Sequence, residues 1–420
     1  MKLSDLIDFN PKRPLEKGAT APFIEMADLP EGEREVAQIG SRVFSGGGSK
    51  FSNGDTLFAR ITPCLENGKT VKVNGLPDEL IGHGSTEFIV MAAKDKEHDE
   101  DFVYYLARHP EFRAFAKGRM EGTSGRQRVS WQALASYEVA EIDKTTRRQI
   151  GEVLASLDNR IAANRRANAT IEAIARAIFK EWFVDFGPVR AKMDGRPPLG
   201  LPPEIAAMFP DSLHEDGRPQ GWDSATLGDI ATLNPESWSK KTAPAEVEYV
   251  DLANTKWGTI ESTTRFAWAD APSRAQRILR PGDTIVGTVR PGNGSYSHIS
   301  AEGLTGSTGF AVLRPKNNES RELLYLAATS FENIERLSHL ADGGAYPAVR
   351  PEVVLASPIA LPNSGLVAEF SAVVTPLIKT IEQNKCELAS LASLRDLLLP
   401  KLMSGEIRIK DAEQLIGDAV

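Results

Sequence analysis

Residues that carry chemistry are scarce in this chain of 420 residues. Its two cysteines, Cys64 and Cys386, cannot form a disulfide framework and fit a reducing compartment. Six histidines, at positions 83, 98, 109, 214, 298 and 339, never fall in metal-ligand spacing. No G-x-x-x-x-G-K-[ST] loop is present, which excludes the usual ATPase phosphate cradle. No run of about 18 apolar residues suggests a membrane span. The opening Met1-Lys2-Leu3-Ser4-Asp5 does not read as a signal peptide, so a cytoplasmic protein is expected. A net charge of −8 leaves no general basic excess, and any phosphate contact must come from a local patch.

Two fragments imitate catalytic motifs. Phe44-Ser45-Gly46-Gly47-Gly48 fits the F-x-G-x-G pattern of adenosylmethionine-binding loops. No Asn-Pro-Pro-aromatic or Asp-Pro-Pro-aromatic segment accompanies it, and a glycine-rich hairpin loop accounts for it better. Pro77-Asp78 with Glu87-Phe88-Ile89 outlines a restriction-nuclease site, but Ile89 stands where a lysine is required. No nucleophile is placed beside a base. We assign no catalytic residue and no metal ligand.

The chain does contain itself twice. Leu3-Ser4-Asp5-Leu6-Ile7-Asp8-Phe9-Asn10-Pro11 returns as Leu227-Gly228-Asp229-Ile230-Ala231-Thr232-Leu233-Asn234-Pro235. Asn53-Gly54-Asp55-Thr56 returns as Pro281-Gly282-Asp283-Thr284, and Gly84-Ser85-Thr86 as Gly306-Ser307-Thr308. The offset drifts slightly, as it does when loops of a duplicated domain gain and lose residues. Composition rich in Gly, Pro, Thr and Val predicts short strands in residues 1–140 and 221–362. A local helix is predicted near Phe102–Phe115 and near Arg321–Leu337.

Each copy ends in a long apolar stripe. Ile150, Val153, Leu157, Ile161, Asn164, Asn168, Ile171, Ile174, Ile178 and Trp182 recur 220 residues later as Phe370, Val373, Leu377, Ile381, Asn384, Leu388, Leu391, Leu394, Leu398 and Leu402. Steps of three and four predict coiled-coil-like helices over residues 141–186 and 363–406, packed antiparallel. Asn164 and Asn384, near the stripe centres, are expected to meet and fix the register. Pro376 either begins the second helix behind a Thr375 cap or kinks it. Residues 187–220, with Arg196-Pro197-Pro198-Leu199-Gly200-Leu201-Pro202-Pro203, are expected to form a stiff extended connector. Residues 407–420 are left as a tail. The fold class is therefore α+β: two repeated mixed α/β domains separated and joined by two long antiparallel coiled-coil-like helices.

Polar side chains gather at corresponding loops of the two copies. Arg60 and Lys69 flank one loop of the first copy, and Thr123, Arg126, Gln127 and Arg128 occupy another. Their counterparts carry Arg290 and Asn293, then Tyr346 and Arg350. Arg113, Lys117 and Arg119 add cations to a stretch from Arg108 to Arg128 that holds six cations against two acids. The matching stretch Thr329–Arg350 has two cations against three acids. Arg and Gln are the side chains that read guanine and adenine edges. Solvated turns account equally well for such loops.

The duplicated plan, the long helices and several segments resemble the specificity subunits of type I restriction–modification systems. Those segments are Phe179-Lys180-Glu181-Trp182-Phe183-Val184-Asp185-Phe186-Gly187-Pro188, Gly200-Leu201-Pro202-Pro203-Glu204-Ile205 and Leu398-Leu399-Pro400-Lys401-Leu402-Met403-Ser404-Gly405-Glu406-Ile407. The resemblance implies a non-catalytic subunit that binds double-stranded DNA, each recognition domain reading half of a split site. It implies two methyltransferase subunits and motor–nuclease subunits as partners. S-adenosylmethionine, ATP and Mg would then belong to those partners, with no cofactor in this chain. A methylation-only or other phage-defence system, and a two-module protein-binding scaffold, are the alternatives.

Overall fold

The computed structural model describes residues 1–77, 80–123, 125–344 and 346–419. Asp78 of the nuclease-like fragment, and Ser124 and Ala345 of the paired loops, lie outside the described residues.

The two copies have the same topology. In the first, strands Ile7–Phe9, Phe88–Ala93, Thr56–Ala59 and Thr70–Lys72 form an antiparallel sheet in that spatial order. A second sheet orders Gly40–Val43, Thr20–Ile24, Gly82–Gly84 and Ser49–Phe51, with the middle two strands parallel. The second copy repeats both, as Ala231–Leu233, Phe310–Pro315, Thr284–Gly287, Tyr296–His298 and as Thr264–Ala267, Glu246–Val250, Leu304–Ser307, Ala275–Ile278.

The repeated motifs are positions where the backbone is constrained. Asn10 and Asn234 take left-handed φ values of 47° and 46°. Each accepts a hydrogen bond through its Oδ1, from the amides of Val90 (2.9 Å) and Val312 (3.0 Å). Asparagine tolerates that conformation and can cap a strand from it. Gly54 and Gly282 turn with φ of 89° and 93°. The aspartates that follow accept the amides of Ser52 and Arg280 at 2.8 Å.

The predicted local helices are each broken in two: Lys96–Arg108 with Pro110–Lys117, and Arg321–Ala328 with Phe331–His339. Pro110 lacks the amide that would continue the first.

The long helices run Lys144–Phe183 and Ser364–Ser404. The second passes through Pro376 without interruption, so Thr375 does not start a new helix. By length and composition alone it is apolar enough to cross a membrane, but many of its apolar side chains are packed inside protein. Two compact units result, Met1–Arg165 with Lys385–Val420, and Arg166–Asn384. In the first, Ile150, Leu154, Leu157 and Ile161 share a core with Leu391, Leu398 and Leu402. In the second, Ala175, Phe179 and Trp182 share one with Phe370, Val374, Ile378 and Ile381. Each unit thus combines one sheet module with half of each helix, and the pairing is antiparallel. The buried face differs from the predicted stripe, because Ile174 and Val373 are exposed while Ala175, Val374 and Ile378 are inside. A period of 3.6 drifts from a strict seam.

Three expectations are corrected. The connector is folded rather than extended: helices Gly187–Met193 and Pro203–Met208 form in it, proline occupying their first turns where no amide bond is lost. Phe209 is buried, edge-on to Trp182 at 5.2 Å. The glycine run 46–48 is no hairpin, because the strands on either side of it lie at opposite edges of their sheet. Gly48 crosses so closely over Gly84 that a Cβ would stand 2.2 Å from its carbonyl oxygen. The C-terminal tail is a helix, Ile409–Ala419, with Ala412 buried.

Candidate nucleic-acid interface

In each module three loops are tied together by the same backbone bonds. In the first, Ile61 and Glu121 both bridge to Arg128. The Arg60 amide donates to Glu87 O, the Val129 amide to Arg60 O and the Thr62 amide to Gln127 O, all at 3.0 Å. In the second, Val289 and Asp342 bridge to Ala348. Thr288 donates to Gly309 O (2.8 Å), Val349 to Thr288 O (2.9 Å) and Arg290 to Pro347 O (2.7 Å). Every backbone partner is conserved between modules while the side chains differ. Arg60 corresponds to Thr288, and Arg290 to Thr62.

This frame gathers Arg60, Thr123, Arg126, Gln127 and Arg128 in the first module, but it does not leave all of them available. Arg128 grips Glu87 with both ends of its guanidinium, at 2.9 and 2.6 Å, and that bond raises its pKa. Gln127 is half-buried, and its amide donates to Thr62 Oγ1 at 3.1 Å. Arg60 is half-buried, its Nε without a hydrogen bond. Thr123 and Arg126 are exposed, and the Arg126 guanidinium has no polar partner among the described residues.

Three of the other candidate cations of this module brace the loop after Ala59. Lys69 donates to Met26 O at 3.1 Å. Arg113 donates to Glu66 O at 2.9 Å, and burial lowers its pKa. Lys117 pairs with Glu66 at 3.0 Å. Arg119 lies 3.3 Å over the Phe115 ring. Sequence reading grouped these cations by sign; the fold shows that most already hold a partner.

In the second module Arg290 has a left-handed φ of 47° and stacks 4.8 Å over the Tyr346 ring. Tyr346 is 72% exposed. Asn293 is exposed in the turn Pro291–Asn293, and Arg350 is exposed at the start of helix Pro351–Leu355. Beside them stands Trp257, which sequence reading missed; Asn254-Thr255-Lys256-Trp257-Gly258 has turn composition, and that was the available signal.

The expected register pair is also corrected. Asn384 Nδ2 donates to Asn168 Oδ1 at 2.7 Å, four residues beyond the expected Asn164. Antiparallel stripes centred on 166 and 386 place a residue two before one centre opposite a residue two after the other. Asn164 keeps a buried Nδ2 without a hydrogen bond. Among the described residues no group of His, Cys, Asp or Glu is placed to hold a metal ion.

Duplicated sheet modules, each built on half of two antiparallel helices, define a tandem two-module architecture in which one loop frame carries two sets of side chains. No family model matches the chain. It is 26% identical over 404 residues to the type I restriction enzyme HindI specificity subunit of Haemophilus influenzae, covering 84% of this chain and 86% of that one. It is 23% identical over 323 residues to the MjaIX specificity subunit of Methanocaldococcus jannaschii, covering 74% and 70%. The type I restriction–modification S subunit from M. genitalium has the same fold, with a TM-score of 0.52 at 17% identity over 96% of this chain and 95% of that one. The relatives it resembles in sequence and in fold are thus specificity subunits of type I restriction–modification systems.

Proposed function

We propose that this chain is the non-catalytic DNA-reading subunit of a cytoplasmic type I restriction–modification complex. Each module would read one half of a bipartite, asymmetric site in double-stranded DNA. The observation that carries this reading is the loop frame, repeated bond for bond with different side chains at its crest. Two identical crests would read identical half-sites; two different crests suit an asymmetric target. Contacts from cations to phosphates would position the protein on the duplex, while a few side chains at base edges would read the sequence.

The long helices would dock two methyltransferase subunits and set the unread spacer. Motor–nuclease subunits would complete the restriction enzyme. S-adenosylmethionine, ATP and Mg would act in those partners.

Methylation mapping in cells with and without the gene tests the reading. A bipartite motif should vanish with the gene, and replacing loop 122–128 should alter one half-site and leave the other intact. Motif halves that change together would overturn it. Four residues inserted after Ala167 would lengthen the first helix by roughly 6 Å. That is close to two base pairs at about 3.4 Å each. With local repacking as at a stutter, the preferred spacer should lengthen while both half-sites persist. An unchanged spacer in an active complex would refute the ruler.

A further inference from the structure

The turn between strands Thr255–Lys256 and Thr259–Ile260 is made by Trp257 and Gly258, with φ of 47° and 83°. Two consecutive positive φ values in a two-residue hairpin loop favour Asn-Gly, because asparagine and glycine reach that region with little strain. A bulky aromatic there is a genuine outlier. The described residues hold five non-glycine residues with positive φ: Asn10, Asn234, Phe186, Trp257 and Arg290. The two asparagines cap strands, and Phe186 precedes the helix Gly187–Met193. Trp257 and Arg290 are both exposed, and they belong to adjoining loops.

The ring is held although it is exposed. The Trp257 amide donates to Gly294 O at 2.7 Å, and the Gly258 amide to Tyr296 O at 3.0 Å. A Cβ on Gly294 would stand 2.6 Å from the indole, so the ring lies directly on that glycine. Tyr296 meets it edge-on at 6.0 Å. Yet Trp257 remains 55% exposed, next to the turn that carries Asn293 and the Arg290–Tyr346 stack. Strain kept at a rigid, half-exposed aromatic beside candidate contact residues is the signature of a functional anchor.

We infer that Trp257 is a specificity-determining residue of the second module, touching one base of its half-site through the apolar ring. This rests on the DNA-reading function proposed above. An uncharged contact of this kind sets sequence without neutralising phosphate, so it should leave the salt dependence of binding unchanged.

The decisive variant is Trp257→Asn, which restores the residue the turn favours. Made in the full chain and expressed with its methyltransferase partners, it should fold with a thermal midpoint no lower than wild type. Methylation mapping should then show one position of the second half-site relaxed, with discrimination there falling roughly 5- to 100-fold. The first half-site should be unchanged, and Trp257→Phe should recover part of the discrimination. A stable Trp257→Asn complex with the wild-type motif would overturn the inference. So would a clear loss of stability with both half-sites degraded, because the tryptophan would then be structural. A wild-type chain that directs no bipartite motif would instead overturn the DNA-reading function, and this inference with it.

Discussion

The two modules share a backbone and differ in what their loops present. In the first, charge closes the crest: Arg128 is taken by Glu87, and Asn67 donates to Glu31 at 2.9 Å. In the second, Ala348 and Gly309 stand where Arg128 and Glu87 stand in the first, and the crest is aromatic, with Trp257 on Gly294 and Tyr346 beneath Arg290. Duplication has kept the backbone hydrogen bonds, which cannot be lost cheaply once buried, and let the side chains above them diverge. A pair of equivalent tyrosines makes the same point deeper in the fold. Tyr105 donates to Asp158 at 2.7 Å, and Arg395 closes on that carboxylate at 2.6 Å with both side chains nearly inaccessible. Tyr325 reaches Glu172 at 3.5 Å, beside Arg176, and these two charges are more than a quarter exposed. One tyrosine finds its acid on the helix after its module, the other on the helix before it.

That contrast should appear most strongly in stability. Burial opposes the charge of Arg395, and Asp158 with Asp396 more than offsets it, holding its pKa up. Asp158→Ala would leave a guanidinium that is 5% exposed with Asp396 as its one remaining acid and the Tyr105 hydroxyl without its acceptor, at a cost of about 3 kcal/mol. Glu172→Ala, in a partly solvated pair, should cost about 1 kcal/mol or less. Hydrogen exchange resolved by unit would read both, and equal losses would show that the two locks are equivalent after all.

A second difference lies at the crest. Arg126 and Tyr346 occupy the same place, each amide donating at 3.0 Å to a residue three before it, Thr123 and Gly343. Arg126→Ala should weaken DNA binding of the assembled complex roughly tenfold and flatten its salt slope by about 1. Tyr346→Ala should shift sequence preference in the second half-site at an unchanged salt slope. Lys117→Ala, whose cation already pairs with Glu66, should be nearly silent. Identical salt effects from the first two would erase the distinction between a charged and an aromatic crest.

Much of the scaffold was legible because the repeated motifs encode local backbone demands. Asn10 and Asn234, Gly54 and Gly282 each occupy a conformation few residues accept. The long helices showed in their period. What stayed hidden depends on partners distant in sequence. No local pattern says that Arg128 belongs to Glu87 or Lys69 to Met26 O, so candidate contacts could be grouped by charge but not sorted into available and engaged. The connector misled because its prolines read as extension, whereas Phe209 and its neighbours supply the apolar surface that folds it. Trp257 was passed over because turn composition marks the loop but not the positive φ that singles out its tryptophan.

The pair at the middle of the helices gives a smaller effect. Asn384→Leu leaves Asn168 without its 2.7 Å partner and should cost about 1–2 kcal/mol. The double change Asn168→Leu with Asn384→Leu should recover most of that, since two apolar groups replace two polar ones. The recovered stability should come with a less strictly defined register, as buried asparagine specifies pairing at a cost. A thermodynamic cycle measured by chemical denaturation checks this. Additive losses would mean that the amides do not depend on one another.

The smallest expected difference is in acid sensitivity. Glu236 receives Arg280 at 3.1 Å through two nitrogens and pairs with Arg314, and those hydrogen bonds lower its pKa from 4.5 to about 2. A carboxyl depressed on folding binds its proton more readily when unfolded. Its stabilisation is therefore complete above pH 4.5 and is lost as pH falls toward 2. In the other unit Asp55 behaves in the opposite sense: burial raises its pKa despite the Arg13 bond at 2.8 Å. Protonation of Asp55 thus favours its folded state as pH falls. Glu236 is about a third exposed, so solvent screening leaves its contribution on the order of 1 kcal/mol. Glu236→Gln should remove that contribution at pH 7 and flatten the acid limb of the second unit between pH 4.5 and 2, leaving the first unit's unchanged. Acid titration followed by unit-resolved hydrogen exchange measures both limbs. If wild type and Glu236→Gln lose stability in parallel across that interval, the arginine clasp contributes nothing, and the two modules differ at their crests but not in the ion pairs beneath them.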